Sequence, residues 1–390
     1  GGAIYVVDPN NVNLTGSLLF LDLDELGFPT SDEANPYVDA KTSYNVVGFS
    51  PVIGSNSDRN LPGNKELPNA DPAAYGQVGK LSFGDLEISE DGRYLWVVNL
   101  YDRKLYSIDL VDPFNPQAPT LANAASRIKS YDIPNPCVTP ESGEFRPFGL
   151  KIKRGRVFVG IVCSAESAAG TVVGTRNDMT GSVYAFDIAT ETFAATPELV
   201  FNFGYRNNWN PWRSSWLGGG FNEQGAPMIS DIEFDAEGNM LLGIRDRRGD
   251  QFGYENADIE GNCCYNDATV GDLLQAVRDP NNPVCSYSIQ LSPEYYDDNH
   301  IHPESTQGGL TVHFTSTFDG VLSTVLDPIG IWSGGVWLYD NNTGNLTTDP
   351  PGYPGYEIFY SATSGAGAAT FGKANRSEER RVGKECRSRW

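Results

Sequence analysis

The chain has 390 residues, with 28 Lys+Arg against 50 Asp+Glu for a formal net charge of −22, and only three histidines. So acidic a surface argues against nucleic acid and anionic membranes as partners, and the scarcity of imidazole leaves little for a histidine-built zinc or triad site. No apolar run is long enough to cross a bilayer as a helix, so no membrane insertion is expected of this segment.

The first sixty residues hold three short apolar segments, Ala3 to Val7, Ser17 to Leu21 and Tyr44 to Phe49, which read as strands between Asn, Asp and Pro-rich turns. Residues 51–79 are a polar loop. From Gly79 to Leu110 the pattern sharpens into three antiparallel strands. Leu86 and Ile88 alternate with Asp85 and Glu87, and Glu90-Asp91-Gly92 supplies a turn. Tyr94 to Leu100 is a near-continuous apolar run, as expected of a strand covered on both faces, and Leu105 to Asp109 alternates again.

The same unit is written three more times. Phe148–Ile152 precedes Arg156–Val162 and Gly181–Asp187. Ser230–Phe234 precedes Met240–Ile244 and Gly271–Gln275, and Gly308–Val312 precedes Gly320–Val325 and Gly335–Asp340. Aligning Asp85, Gly149, Asp231 and Gly309 gives spacings of 64, 82 and 78 residues. A loose repeat of antiparallel sheets with long polar loops predicts an all-β fold: a single β-propeller over residues 1–375, of four-stranded blades, five to seven in number with six as the working count. Tyr356–Tyr360 and Ala369–Phe371 are expected to close the ring against the N-terminal strands.

Residues 376–390, RSEERRVGKECRSRW, lack apolar periodicity, turn abruptly basic and resemble a translated sequencing adapter, so a disordered non-native tail is expected there. Without it 22 basic and 47 acidic residues remain, for a net charge of −25. The chain begins at Gly1 without methionine, and both ends are expected to be truncated.

Of the cysteines before the tail, Cys137 precedes one innermost strand and Cys163 ends the next strand, so a bridge between them fits. Cys285 has Cys263 or Cys264 as possible partners, and buried free thiols are the alternative throughout.

Several segments together carry a resemblance. They are Asp85–Asp109, Arg146-Pro-Phe, Val159–Glu166, Trp209-Asn-Pro-Trp212, Asp231–Asp235, Gly243–Arg247, Gly249-Asp-Gln251 and Thr370–Asn375. As a set they resemble the N-terminal propeller of large secreted bacterial surface proteins that carry SdrD B-like (serine-aspartate-repeat B-type) domains. That resemblance implies an extracellular or bacterial cell-surface location and an adhesive or structural role. It also implies immunoglobulin-like repeats downstream, and it brings no catalytic residues with it.

Two constellations stand out for chemistry. Asp85 and Glu87, like Asp231 and Glu233, lie on one face of an innermost strand, so four carboxylates converge on the central channel as candidate calcium ligands. Lys151, in register with Glu87 and Glu233, offers the competing arrangement of ion pairs between blades. Trp209, Trp212 and Trp216, with Tyr205 and Arg213, crowd one loop. Exposed, they form a platform for a glycan or protein ligand; buried, they staple the loop. Repeated Asp-Arg pairs at Asp102-Arg103 and Asp246-Arg247 are expected to pair between blades, and Arg248-Gly249-Asp250 is a tripeptide of little specificity. His300, His302 and His313 form no ligand set, no G-x-S-x-G occurs, and no glycine-rich phosphate loop opens a helix. The expected function is a non-catalytic adhesion, presentation or scaffolding module; the alternative is a calcium-dependent propeller hydrolase or lactonase using the channel carboxylates.

Overall fold

The computed structural model describes residues 3–7, 18–22, 43–44, 59–61, 67–81, 83–113, 119, 123–216, 225–252, 257–263, 271–279, 286–291, 295–297, 305–316, 318–326, 334–346 and 355–359. The expected strand at Ala369–Phe371, the residues 376–390, His300, His302, Cys264 and Cys285 lie outside them.

Among the described residues every strand pairing within a sheet is antiparallel. Strands β1 (Ala3–Val7), β2 (Leu18–Asp22) and β3 (Ser43–Tyr44) pair in that order as a three-stranded N-terminal sheet. Four larger sheets follow in sequence. The first holds β4 (Phe83–Ile88), β5 (Tyr94–Asn99), β6 (Lys104–Asp109) and β7 (Ile128–Asp132). The second holds β8 (Phe145–Lys153), β9 (Arg156–Cys163) and β10 (Thr180–Asp187), with its fourth position split between β11 (Thr192–Phe193) and β12 (Leu199–Asn202) at the two ends of β10. The third holds β13 (Pro227–Phe234), β14 (Met240–Asp246), β15 (Asp272–Arg278) and β16 (Tyr287–Gln290). The fourth holds β17 (Thr306–Phe314), β18 (Asp319–Leu326), β19 (Gly334–Asp340) and β20 (Gly355–Phe359).

The apolar patterning explains how these sheets stack. On β5, Trp96 and Val98 point to one side and pack with Leu150, Ile152, Val157, Val159 and Phe186 of the second sheet. Leu95 and Val97 point to the other side, into a separate cluster with Leu86, Ile108 and Leu110. A strand buried on both faces has no need to alternate, which is why Tyr94–Leu100 is continuously apolar. Between the second and third sheets lie Phe158, Val162, Val183, Ile229, Ile232 and Leu242, and between the third and fourth Leu241, Leu273, Leu310, Val321 and Trp337. Each such side chain contributes about 1.5–3 kcal/mol relative to exposure.

The first strand of each of the four larger sheets lies beside the first strand of the next, and each carries a register break at the same place. The breaks fall between Phe83 and Leu86, Pro147 and Leu150, Ile229 and Asp231, and Thr306 and Leu310. A bulge leaves amides unpaired within its own sheet. Two aspartates take them up: Asp85 accepts from Leu86 (2.8 Å) and Leu150 (3.1 Å), and Asp231 accepts from Ile232 (2.8 Å) and Leu310 (2.9 Å). The intervening position needs glycine, because a Cβ on Gly149 would stand 2.9 Å from the Asp231 amide nitrogen and the Ile229 carbonyl oxygen. Aspartate and glycine therefore alternate along the aligned repeat.

Two expectations are corrected. The segment 355–359 does not pair with the N-terminal strands; it satisfies the free edge of β19 in its own sheet, while β1, β2 and β3 pair among themselves. Residues 276–307, a polar insertion in which the sequence suggests no strand, contain β16, whose four half-buried residues are too few to show a period. Among the described residues no helix is long and apolar enough to cross a membrane.

Cys137 and Cys163 are joined, with Cα atoms 5.5 Å apart and a sequence separation of 26, and Cys263 is also disulfide-bonded. The first bond ties the connection entering the second sheet to the end of β9. Replacing Cys137 and Cys163 together with serine is expected to cost about 3 kcal/mol through loop entropy restored to the unfolded chain. A urea midpoint equal to that of the wild type would show the bond to be energetically idle.

Candidate functional site

The four candidate channel carboxylates do come together, and the cation among them is the ammonium of Lys151. It rises from β8 between β4 and β13, 2.6 Å from Glu233 and 3.5 Å from Glu87. Asp85 and Asp231 point the same way but give their oxygens to the bulge amides described above. Burial pushes the Lys151 ammonium down, yet Glu233 and Glu87 overcome it and hold its pKa above the usual lysine value. Burial also raises the Glu233 carboxyl, against the pull of Lys151, and drives Asp231 well above the carboxylate range with help from the charges of Asp85 and Glu233. One lysine does not neutralise the carboxylates around it, so Asp231 and Glu233 retain protons that exposed acids would have lost.

A second acidic group lies where the third and fourth sheets meet, at the other end of the strands. Asp235, Glu237 and Asp319 bring one carboxylate oxygen each within 4.8 Å of one another. Asp235 accepts from Asn239 and Gln275, and Asp319 from the Ala236 amide and Asn341.

The aromatic loop is a staple, contrary to the exposed platform considered for it. Trp209 and Trp212 are fully buried, Trp209 packing with the equally buried Phe203, because large aromatic rings are what this polar stretch has to anchor itself to the sheets. Trp209 donates to the Tyr205 hydroxyl (3.3 Å), which donates to the buried Asp272 (2.6 Å), while Arg206 lies over the Trp209 ring. Burial, then the charge of Asp272, raises the Tyr205 hydroxyl well above its usual range. Trp212 donates to the Pro227 carbonyl. Of the five residues Tyr205, Arg213 and Trp216, the last edge-on to Tyr75, are half-buried.

Arg213 and Trp216 border a cluster that no local pattern announced. Glu166, fully buried just past the end of β9, receives Lys80 at 2.7 and 2.8 Å and the Ser214 hydroxyl at 3.1 Å. Arg146, at the start of β8, stands 3.8 Å from the same carboxylate. Arg247, the first residue of helix α1 (Arg247–Phe252), is fully buried and gives its guanidinium to the carbonyls of Val78, Arg213 and Gly76. The Trp212 ring lies 4.8 Å from the Arg247 guanidinium and 6.0 Å from that of Arg146. The expected pairing of Arg247 with a carboxylate of another blade is thus replaced by three backbone acceptors. The adjacent Arg248 is buried, and Asp250 binds Arg245 through both oxygens. Arg146, Glu166, Trp212 and Arg247 each lie in one of the short segments on which the resemblance rests. Their convergence is a signal that those segments carry jointly and none carries alone. His313 is exposed against Phe318 and belongs to no cluster.

No protein-family model matches the chain. It is similar to two proteins of Dictyostelium discoideum. Colossin-A is 27% identical over 326 residues, 77% of this chain and 3% of that protein, and Colossin-D is 27% identical over 284 residues, 69% of this chain and 28% of that protein. The chain therefore spans less than a third of either relative. Among solved structures, an ulvan lyase of polysaccharide lyase family PL25 overlaps at a TM-score of 0.35 and 12% identity, covering 69% of this chain and 56% of that one. Regucalcin from Agrobacterium tumefaciens overlaps at 0.24 and 13%, covering 71% and 73%. These superpositions are too loose to transfer any residue.

The raised Glu233 carboxyl has a consequence for pH. The native state holds this proton at pH values where the unfolded chain, with an ordinary glutamate, has released it. Stability from this group is therefore greatest at acid pH and falls as pH rises from the unfolded value through the folded one. Between pH 5 and pH 8 the urea midpoint of wild type minus that of E233Q should fall; a difference independent of pH would refute the assignment.

Proposed function

We propose that the chain is a β-propeller module of a larger extracellular or cell-surface protein, non-catalytic, and serving to scaffold or present its loop face to a glycan or protein partner. The observation that carries this reading is the use made of the inner-strand carboxylates. A hydrolase needs acids free to meet substrate or metal. Here Asp85 and Asp231 are occupied with amides of the neighbouring sheet, and Glu87 and Glu233 share Lys151. Such an arrangement joins blade to blade. Four consecutive sheets with their first strands side by side form the arc of a ring, and closure into five to seven blades continues the same geometry.

Two further observations agree. Disulfides at Cys137–Cys163 and Cys263 suit an oxidising compartment. The short share of the Colossins that the chain covers suits one unit among several, with immunoglobulin-like repeats following it as the bacterial resemblance implies. A second reading keeps calcium in view: Asp235, Glu237 and Asp319 supply oxygen ligands of the kind that ion takes, at a sheet junction where it would be structural.

The test is Lys151. K151M leaves the buried Glu233 and the half-buried Glu87 without their counter-charge and is expected to destabilise the fold by about 3–5 kcal/mol, whereas the triple variant E87L/K151M/E233L should recover most of that loss. Calcium-dependent hydrolysis of a lactone or ester by the wild type, abolished in E233Q, would overturn the non-catalytic reading. A melting temperature raised by calcium in the wild type but not in D319N would place the ion at the second group.

A further inference from the structure

The Glu166 cluster carries the wrong charge for its surroundings. Lys80, Arg146, Arg213 and Arg247 all act electrostatically on or around this one carboxylate; the buried Asp246 beside Arg247 and Glu144 near Arg146 offset part of that charge and still leave a positive surplus, in a chain whose formal net charge is −22. The other buried ion groups are neutral or negative in sum: Lys151 faces Glu87 and Glu233, and Arg245 faces Asp250. Burying a positive surplus is unfavourable twice over, through lost hydration and through mutual repulsion. The groups themselves register it. Burial, then Arg247, brings the Lys80 ammonium down to about 8; burial brings Arg247 to about 10 and lowers Arg146 as well.

Two of these cations also keep unused donors. The Nε of Arg146 is buried with no hydrogen-bond partner, and the Arg213 side chain makes no hydrogen bond among the described residues. Arg146 is nonetheless held in place by the Trp212 ring beside it and by Glu166 beyond. The side chains of Lys80 and Arg146 each retain 11% exposure, so solvent reaches both. A planar guanidinium fork beside an ammonium matches the paired oxygens of a carboxylate or sulfate.

We propose that this cluster is an anion site, which takes the carboxylate or sulfate group of a small acidic ligand between Arg146 and Lys80. Arg146 supplies the hydrogen-bond fork and Lys80 the second charge, while Glu166 and Ser214 fix the ammonium from behind. Arg247 is spent on carbonyls and contributes through its field alone. The site neither requires nor excludes a scaffolding role, and its failure leaves that reading standing.

The experiment is calorimetric titration of the intact chain at constant ionic strength with sodium glucuronate, sodium sulfate and glucose. At least one anion should bind saturably at pH 7 and glucose should not; which anion binds identifies the group recognised. R146Q should weaken binding tenfold or more, R146K less, and R93Q, on the exposed Arg93–Asp109 pair, not at all. Lys80 faces Glu166, Ser214, Arg146 and Arg247, and its ammonium, brought down to about 8 by burial and then by Arg247, loses its charge as pH rises from 7 to 9. Affinity should therefore fall from pH 7 to pH 9 in the wild type and stay level in K80R. Removing a surplus charge should leave R146Q melting no lower than the wild type. Absence of saturable binding by either anion, equal affinity in R146Q, or a marked drop in the R146Q melting temperature would each overturn the proposal.

Discussion

The architecture depends on amides that four bulges release from their own sheets. A hydrogen-bond donor stranded in a packed interior costs a substantial fraction of the stability of an ordinary domain, so each must find an acceptor. Asp85 and Asp231 supply it across the gap to the next sheet. Their partners then lie so close that Gly149 admits no side chain facing β13. The apolar contacts between sheets are greasier and far more numerous, but they are tolerant of small slides. The aspartate bonds are directional, and they fix where each sheet stands relative to its neighbour. Lys151, reaching Glu87 on one side and Glu233 on the other, extends the same cross-linking over three sheets.

Much of this is legible in the sequence alone. The alignment of Asp85, Gly149, Asp231 and Gly309 marks the four bulges, and period-two alternation gives way to unbroken apolar runs in the strands sandwiched between sheets. What the alignment conceals is that its alternating Asp and Gly are donor-partner and spacer, because that relation exists only between different sheets. Lys151 was visible as a rival for the carboxylates, since register along a strand is readable from sequence. The burial of Trp209 and Trp212 was not, because it turns on partners as far away as Asp272 and Pro227. Least visible was Glu166 with Lys80. The two are 86 positions apart, and neither residue type repeats at any spacing that would flag the pair.

The charges follow a division along the strands. At the ends where the first strands begin lie Lys80, Arg146 and Arg247; midway lies a proton-retaining acidic group around Lys151; past the other ends stand Asp235, Glu237 and Asp319. An overall acidity of −22 therefore says little about what any one face presents to a visitor. The net figure is a statement about solubility, and the local arrangement decides which ions are welcome where.

The Cys137–Cys163 bond has a mechanical side. A chain drawn out by its two ends, as a unit strung within a longer surface molecule would be, straightens by about 3.3–3.6 Å per residue released. The 26 positions bridged by this bond are withheld from that extension, so roughly 90 Å of contour stays locked until the sulfurs part. Because the loop encloses the entry to the second sheet and its first two strands, tension passes across β8 and β9 through the sulfurs and leaves that hairpin unloaded even after its neighbours have peeled away.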